Sequence, residues 1–280
     1  TFAFEPDKVS ESPAGVDLAI PLTEIHRESE LRESVWQAVR KVFPSGKVSL
    51  TLNRANLAEE PRPGSLDARL VNRMKLRTDV KRTPIFGLGC VGGAAGIARA
   101  TDYLRAYPDE IAVLLSVELC SLTLQRGDTS IANVIASGLF GDGAAAVVLC
   151  GEDVAAVGPR VVATRSVFYP DTEHVMGWEV GDGGFRVVLS ADVPEMAAGL
   201  RPDVERFLGD ARLRLCDVDL FICHPGGPKV LEAIESALDL HDGELDVTWR
   251  SLAAIGNLSS ASVLHVLRDE GTAVKVLIVS

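Results

Sequence analysis

Residues 83–98 read T-P-I-F-G-L-G-C-V-G-G-A-A-G-I-A, and this stretch decides the fold. An apolar run ends in glycine, Cys90 follows, and a run of small residues typical of a tightly packed helix comes next. The pattern therefore predicts a strand-to-helix junction that carries one thiol. Helix N-termini have partial positive charge and unpaired N–H groups, so we expect the Cys90 thiol to ionise easily and act as a nucleophile. A buried structural cysteine is the alternative reading of this stretch.

Strands and helices alternate along the rest of the chain, which indicates an α/β fold with sheets covered on both faces. Continuously apolar runs, such as I-A-V-L-L-S-V (111–117) and A-A-A-V-V-L (144–149), are typical of buried strands. The patterns predict strands near 48–52 and at 84–89, 111–118, 143–150, 159–168, 184–189, 218–223 and 273–279. They predict helices at 22–43, 65–75, 91–106, 130–139, 193–209, 228–239 and 258–269.

A weak internal repeat divides the chain into two similar halves, 1–152 and 153–280. G-C-V-G-G-A-A-G-I-A (89–98) can be set over G-N-L-S-S-A-S-V-L-H (256–265), which aligns Cys90 with Asn257. If the halves pack about a pseudo-twofold axis, these two residues face one cavity. The second copy stops one strand short and the first lacks material upstream, so we expect the sequence to be part of a longer chain.

Composition excludes several classes of protein. The net charge of −11 argues against a nucleic-acid binder, whose affinity comes mainly from Lys and Arg on phosphates. The five cysteines are odd in number and none forms a CxxC pair, so we expect no metal site, no disulfide scaffold and a reducing cytoplasmic location. No apolar stretch reaches the roughly 18 residues that a membrane helix needs, so no membrane span is expected.

Two further segments carry chemistry that suits a thiol. In F-I-C-H-P-G-G-P-K-V (221–230), His224 ends a buried strand before a turn, and in G-N-L-S-S-A-S (256–262), Asn257 opens a helix. A neutral imidazole can take the proton of a thiol, and an amide N–H₂ can donate to a developing oxyanion or enolate. Taken singly, each residue has a structural alternative, a hydrogen-bonded strand-end histidine or a helix N-cap asparagine.

These segments together resemble the type III polyketide synthases, the chalcone-synthase-like branch of the thiolase-fold condensing enzymes. The resemblance runs from about Leu66 to about Leu267 and includes a further run, G-L-F-G-D-G-A-A-A-V-V-L (138–149). His224 is followed by Pro-Gly-Gly-Pro, whereas the ketoacyl synthase III relatives typically have Gln-Ala-Asn there. The resemblance implies a thiolase-like five-layer αβαβα fold of two pseudo-symmetric halves. Residues 17–64 depart from the family pattern.

By that resemblance the protein would be an acyltransferase and a homodimer, with coenzyme A thioesters as substrates and no cofactor. Cys90 would accept an acyl starter, while His224 and Asn257 would bind malonyl-CoA and stabilise the enolate left by decarboxylation. Condensation would extend the chain by two carbons, and cyclisation would give a pyrone or a phenolic ring. The resemblance also implies that Phe140, Gly141, Phe185 and Cys120 line the substrate site.

Other functions remain open at this stage. A ketoacyl synthase III-like enzyme would perform one condensation onto acyl carrier protein. A non-catalytic homologue would keep the fold as a scaffold or dimer partner. A papain-like cysteine hydrolase also uses Cys, His and Asn, but its local cysteine signature is absent and it would leave the repeat unexplained.

Overall fold

The computed structural model describes residues 65–156, 158–181, 184–241, 243–269 and 276–280, and the backbone of three earlier strands at 2–5, 19–21 and 48–54. The predicted helix at 22–43 lies outside the described residues, as does the rest of the departing stretch 17–64 apart from the strands at 19–21 and 48–54. The helices described are α1 (Leu66–Met74), α2 (Gly92–Ala106), α3 (Ile131–Leu139), α4 (Val193–Ala198), α5 (Arg201–Asp210), α6 (Pro228–Leu238), α7 (Asp246–Ile255) and α8 (Ser262–Asp269).

The strands form two larger sheets and one hairpin. They are β1 (Phe2–Glu5), β2 (Ala19–Pro21), β3 (Val48–Arg54), β4 (Arg82–Ile85), β5 (Ile111–Glu118), β6 (Gly143–Cys150), β7 (Arg160–Thr164), β8 (Met176–Gly181), β9 (Gly184–Leu189), β10 (Leu220–Cys223) and β11 (Val276–Val279). The first sheet has the order β2-β6-β5-β3-β4, with β3 parallel to β4 and β5, and β6 antiparallel to its neighbours. The second has the order β10-β11-β1-β7, and β8 pairs with β9 alone.

The two sheets follow the two halves of the chain, with one exception. All strands of the first sheet precede residue 152, and three of the four strands of the second sheet follow it. The exception is β1, which pairs antiparallel with both β11 and β7 in the second sheet, with Phe2 opposite Ile278 and Thr164. A division at residue 152 therefore does not separate the sheets completely.

Alternate side chains of β5 point to opposite faces of the first sheet, and each face is covered by helices. Leu114 packs with Ile97 of α2 and Leu264 of α8 in one apolar cluster. Val113, its neighbour on the strand, packs with Leu70 of α1 in another. The first sheet therefore lies between α1 on the outside and the α2–α8 pair on the inside.

The second sheet repeats this arrangement on the other side of the helix pair. Ile222 of β10 and Ile278 of β11 belong to the same cluster as α2 and α8. Phe221 of β10 points the other way and packs with Leu208 of α5 and Leu231 of α6. The layers are thus α1, the first sheet, α2 with α8, the second sheet, and α5 with α6, which confirms the predicted αβαβα fold.

The central helix layer is closely packed because its residues are small. A Cβ atom on Gly93 of α2 would lie 2.1 Å from the carbonyl oxygen of Ser260, in the turn that precedes α8. A Cβ on Gly96 would lie 2.5 Å from Leu114 on the first sheet. Because the residues after Cys90 are small, the backbones of the two halves can come into van der Waals contact.

Three predicted elements differ from the structure. The strand predicted at 84–89 is β4, which ends at Ile85 because the chain turns at Gly87, where φ is +86°. The helix predicted at 193–209 is divided into α4 and α5 near Gly199, and the first turn of α5 contains a proline. The strand predicted at 159–168 is the shorter β7.

Four described helices and strands were not predicted, namely β1, β2, α7 and β8. Helix α7 begins D-V-T-W, and its β-branched and aromatic residues have weak helix propensity, so burial of Val247, Thr248 and Ser251 stabilises it instead. Strand β8 has glycine near both ends and is largely exposed, so it lacks the apolar signal of a buried strand. Its antiparallel pairing with β9 stabilises it as a strand, although its own sequence does not indicate one.

Candidate active site

Cys90 lies in a single 3₁₀ turn, Gly89–Val91, between β4 and α2. The turn requires glycine at position 89, where φ is +50°. The residue is partly buried, and its carbonyl oxygen accepts a hydrogen bond from the Ser280 hydroxyl at 3.1 Å. The end of β11 in the second sheet is thus fastened to the cysteine turn of the first half.

Asn257 is 1% exposed, and hydrogen bonds determine the orientation of its carboxamide. Oδ1 accepts from the backbone N–H of Ser259 at 2.8 Å and from the hydroxyl of Ser262 at 3.3 Å. Nδ2 donates to the carbonyl oxygen of Gly226 at 3.3 Å. Hydrogen bonding by the same side chain lowers the pKa of the Cys90 thiol, so two of the three predicted catalytic residues lie close together.

The turns that carry these two residues share a construction, as the internal repeat predicts. Gly256 before Asn257 has φ +70°, and a Cβ there would lie 2.8 Å from the carbonyl oxygen of Leu139. Each turn leads into a helix of the central layer, α2 after Cys90 and α8 after Asn257. Cys90 and Asn257 therefore occupy similar positions in the two halves.

His224 follows the last residue of β10, where its backbone N–H donates to the carbonyl oxygen of Val279 at 2.8 Å. Its Nδ1 atom is buried and has no hydrogen-bond partner in the described part of the chain. Burial lowers the pKa of the imidazole to about 4, because the charged form would lose its hydration. The imidazole is therefore neutral at physiological pH.

Two independent links join the three segments. Val279 accepts the bond from His224, and the next residue, Ser280, donates to Cys90. Asn257 contacts the Cys90 thiol through one set of atoms and the Gly226 carbonyl, two residues beyond His224, through another. The thiol, the imidazole and the carboxamide predicted from distant segments are thus carried by backbone that meets at one end of the central layer.

The expectation that the Cys90 thiol ionises easily is wrong for the resting protein. The pKa of the thiol is raised to about 11, chiefly by burial and in smaller part by the negative charge of Glu118. Hydrogen bonding to Ser259 and Asn257 opposes this rise without cancelling it. Loss of hydration therefore outweighs the helix N-terminus, and the resting site holds a neutral thiol with a neutral imidazole.

Phe140 and Gly141 flank the carboxamide through backbone hydrogen bonds. Asn257 N donates to the Leu139 carbonyl oxygen at 2.8 Å, and Gly141 N donates to the Asn257 carbonyl oxygen at 2.9 Å. These bonds form an isolated parallel bridge between Phe140 and Asn257. The half-buried Phe140 therefore lies beside the site, as the resemblance implies.

The other two predicted lining residues have different settings. Cys120 is buried in the 3₁₀ turn after β5, where burial and then the charges of Glu118 and Cys90 raise its pKa. Phe185 lies on β9, edge-on to the ring of Trp178 with centroids 6.0 Å apart. Contact of Phe185 with the substrate stays a prediction.

The sequence analysis missed a buried polar cluster beside Cys90. Glu118, the last residue of β5, is fully buried, and its Oε1 accepts hydrogen bonds from the backbone N–H and the hydroxyl of Ser260. Its Oε2 is buried without a partner, and the Ser260 hydroxyl also contacts that of Ser116 at 2.7 Å. Burial raises the pKa of Glu118 to about 7. The sequence did contain a signal for this cluster, because a glutamate ends an otherwise apolar strand.

The described residues contain no group of three or more His, Cys, Asp or Glu side chains arranged to hold a metal ion. In the same part of the chain, no helix is long and apolar enough to cross a membrane.

Comparison with known proteins identifies the family. The model of "Chalcone and stilbene synthases, C-terminal domain" matches residues 160–274, and that of "FAE1/Type III polyketide synthase-like protein" matches residues 22–161. A 1,3,6,8-tetrahydroxynaphthalene synthase from Streptomyces peucetius subsp. caesius is 60% identical over 212 residues, covering 74% of this chain and 56% of the relative. A putative chalcone synthase from Bacillus subtilis (strain 168) is 41% identical over 212 residues, covering 73% and 58%. The chain therefore spans little more than half the length of these relatives.

Solved structures agree with this assignment. The tetrahydroxynaphthalene synthase of Streptomyces coelicolor A3(2), a bacterial type III polyketide synthase, superposes with a TM-score of 0.77 at 30% identity, covering 86% of this chain and 70% of that one. A polyketide synthase from the brown alga Ectocarpus siliculosus superposes with a TM-score of 0.75 at 26% identity, covering 90% and 68%. Together with the layered fold and the meeting of the Cys90, His224 and Asn257 segments, these matches show that the chain belongs to the type III polyketide synthase family.

Proposed function

We propose that the protein is an acyltransferase that carries out decarboxylative condensation of malonyl-CoA onto a starter acyl group held by Cys90. The thiol attacks the thioester of an acyl-CoA and releases coenzyme A. Malonyl-CoA then loses CO₂, and its enolate attacks the acyl group on Cys90, which frees the sulfur and lengthens the chain by two carbons. Cyclisation of the extended chain gives the product.

The observation that carries this proposal is the contact between the Cys90 thiol and the Asn257 carboxamide, beside the segment of His224. An asparagine N–H₂ group has two donors. One is directed at the Gly226 carbonyl oxygen, and the other is available at the sulfur, where the oxygen of an enolate would develop. A donor placed there stabilises negative charge without a metal ion.

The protonation states support the same chemistry. Because burial lowers its pKa to about 4, the imidazole of His224 is neutral at physiological pH, and its ring lone pair can accept the proton of the Cys90 thiol as acylation begins. The imidazolium that forms is then buried with the new thiolate, and the two charges stabilise each other. We propose His224 as the base in this step.

The product is proposed to be phenolic. The relative at 60% identity is named a 1,3,6,8-tetrahydroxynaphthalene synthase, and one at 36% identity is named a phloroglucinol synthase. Another, at 33% identity, is named for α-pyrone synthesis, so a pyrone is the alternative ring type. The higher identity to the first favours a hydroxylated aromatic ring.

A homodimer and a cytoplasmic location are part of the proposal. Three large apolar side chains next to the cysteine turn are exposed: Phe86, Leu88 and Val91 are 68%, 45% and 44% accessible. Such a patch favours burial against a second copy of the chain. All five cysteines are free thiols, which suits a reducing compartment. Light scattering after size exclusion would test the dimer, and a monomeric mass at all concentrations would contradict it.

The test is incubation of the protein with malonyl-CoA and a panel of acyl-CoA starters. We expect release of CO₂ and free coenzyme A, and a cyclised product by mass spectrometry. Cys90→Ala should abolish product formation while the fold is retained, because the acyl group then has no acceptor. A single condensation onto acyl carrier protein would instead support a ketoacyl synthase III-like enzyme. Absence of product with every starter would support a non-catalytic homologue.

A further inference from the structure

The carboxyl group of Glu118 has no role in the proposed chemistry, yet it is buried at the end of β5 next to the cysteine turn. Its residue exposure is 0%, and one carboxyl oxygen, Oε2, has no hydrogen-bond partner among the residues that the structure describes. Burying an ionised carboxylate with an unsatisfied oxygen is costly, whereas the protonated group loses little hydration. The structure therefore favours a neutral Glu118 near the thiol.

One turn, Ser259–Ala261, packs against both the end of β5 and the cysteine turn. Hydrogen bonding by Ser259 lowers the pKa of both the Cys90 thiol and the Glu118 carboxyl. The backbone of the neighbouring Ser260 donates to Glu118 Oε1 at 3.3 Å, and its hydroxyl donates to the same oxygen. Glu118, at the end of β5, and Cys90, after β4, thus both follow strands of the first sheet and lie against the same 3₁₀ turn, Ser259–Ala261.

We propose that Glu118 is a positioning residue whose charge controls how readily the Cys90 thiol loses its proton. When Glu118 is protonated, the thiol proton can leave without opposition from a neighbouring negative charge. When Glu118 is ionised, its charge opposes formation of the thiolate at Cys90. The two groups therefore titrate as a coupled pair.

The neighbouring titratable groups are compatible with this pairing. In the described part of the chain they are Cys120 in the turn after β5, Asp142 before β6, His224 after β10, His265 on α8, and Arg99, Asp102 and Arg105 on α2. Asp142 accepts hydrogen bonds from Ser121, and the α2 charges pair with one another. Glu118 is the only charged group among the causes that shift the Cys90 pKa. The carboxyl of Glu118 is thus the charge to test.

The experiment measures the rate at which iodoacetamide alkylates Cys90 between pH 6 and pH 9, followed by mass spectrometry of the Cys90 peptide. The exposed Cys216 serves as an internal reference in the same samples. For the unaltered protein, we expect the increase of rate with pH to become shallower near pH 7, where Glu118 ionises. Ionisation of Glu118 would raise the pKa of the thiol just as the rising pH favours the thiolate.

Glu118→Gln removes the charge and keeps the size of the side chain. We expect the apparent pKa of Cys90 to fall by about one unit, as for removal of a like charge a few ångströms away. Alkylation below that pKa should quicken about threefold rather than tenfold, since a less basic thiolate is also less nucleophilic. The shallow region near pH 7 should disappear. Glu195→Gln, which removes an exposed carboxylate on α4, should leave the profile unchanged.

Ser260→Ala provides a second test that leaves Glu118 and Cys90 in place. The Ser260 hydroxyl lowers the pKa of Glu118, so its removal should move the shallow region to higher pH. If Glu118→Gln fails to fold by circular dichroism, this variant decides the matter. A Glu118→Gln profile that superimposes on the original, or an unmoved shallow region in Ser260→Ala, overturns the proposal. This inference rests on the proposed role of Cys90 as the acyl acceptor. Because alkylation needs no malonyl-CoA, the inference about Glu118 can fail while condensation is intact.

Discussion

Replacing Asn257 with alanine tests the role of the carboxamide. The change removes a donor to Gly226, an acceptor for Ser259 N and Ser262 Oγ, and the contact with the Cys90 thiol. Loss of one donor to a developing oxyanion typically costs about 10²–10³ in turnover, or about 3–4 kcal/mol. We therefore expect condensation to fall by about that factor.

The same change has a separate cost in stability. It leaves the buried N–H of Ser259 without its acceptor, which typically costs about 1–3 kcal/mol. For a chain of this size, we expect the midpoint of thermal unfolding to fall by about 2–8 °C. Product formation, CO₂ release and coenzyme A release are followed with malonyl-CoA at saturating starter, and unfolding by calorimetry.

A matched control separates the two effects. Asn133 on α3 is also buried, and its Nδ2 donates to the carbonyl oxygens of Gln125 and Asp128 at 3.0 and 2.7 Å. Asn133→Ala should therefore lose comparable stability with little loss of condensation. The reasoning is refuted if Asn257→Ala keeps condensation within tenfold of the original protein at a temperature where both are folded.

Two further predictions concern stability. Burial lowers the pKa of His224 to about 4, below the unfolded value, so the contribution of His224 to folding stability is present above pH 6.5 and is lost as pH falls towards 4. Glu118 has the opposite effect: because its pKa is raised to about 7, folding stability is lost as pH rises from 4.5 to 7. In urea titrations, the free energy of unfolding of the original protein should therefore change little with pH. It should rise with pH in Glu118→Gln and fall with pH in His224→Gln. The same dependence on pH in all three proteins would contradict the assignment. Gly93→Ala should destabilise the protein by at least about 1–3 kcal/mol because its Cβ would meet the carbonyl oxygen of Ser260, whereas Gly138→Ala on α3 meets open space and should not. Equal unfolding midpoints for these two variants would show that the central layer relaxes freely.

Most of the helices and strands could be predicted from the sequence where the hydrophobic pattern was strong. The bounds of β5 and β6 were predicted correctly, because buried strands are continuously apolar and bounded by polar or glycine residues. Those of β9, which is only partly buried, were also predicted correctly. Pattern alone did not indicate that β1 joins the second sheet, since the partner of a strand is chosen by tertiary packing. The break between α4 and α5 shows the same limit, because apolar periodicity continued across it.

The site was predictable in its residues and less so in its electrostatics. Motifs placed Cys90, His224 and Asn257 in segments that do meet. The state of the thiol was misjudged, because the helix N-terminus is a local feature whereas desolvation depends on neighbours from distant segments. Glu118 was missed for the same reason, since only the folded chain shows that its carboxyl is buried and that one of its oxygens lacks a hydrogen-bond partner among the described residues.

The backbone bridge between Phe140 and Asn257 has a consequence for efforts to alter the size of the product. The amide of Asn257 and its carbonyl are each tied to a residue adjoining Phe140, so the main chain cannot shift at one place without shifting at the other. A bulkier or smaller side chain at position 140 will preserve turnover only if it fits by adopting a different rotamer, without movement of the main chain. Redesign of specificity at this position is therefore best judged first by whether rate constants for decarboxylation survive, and only then by which compounds accumulate.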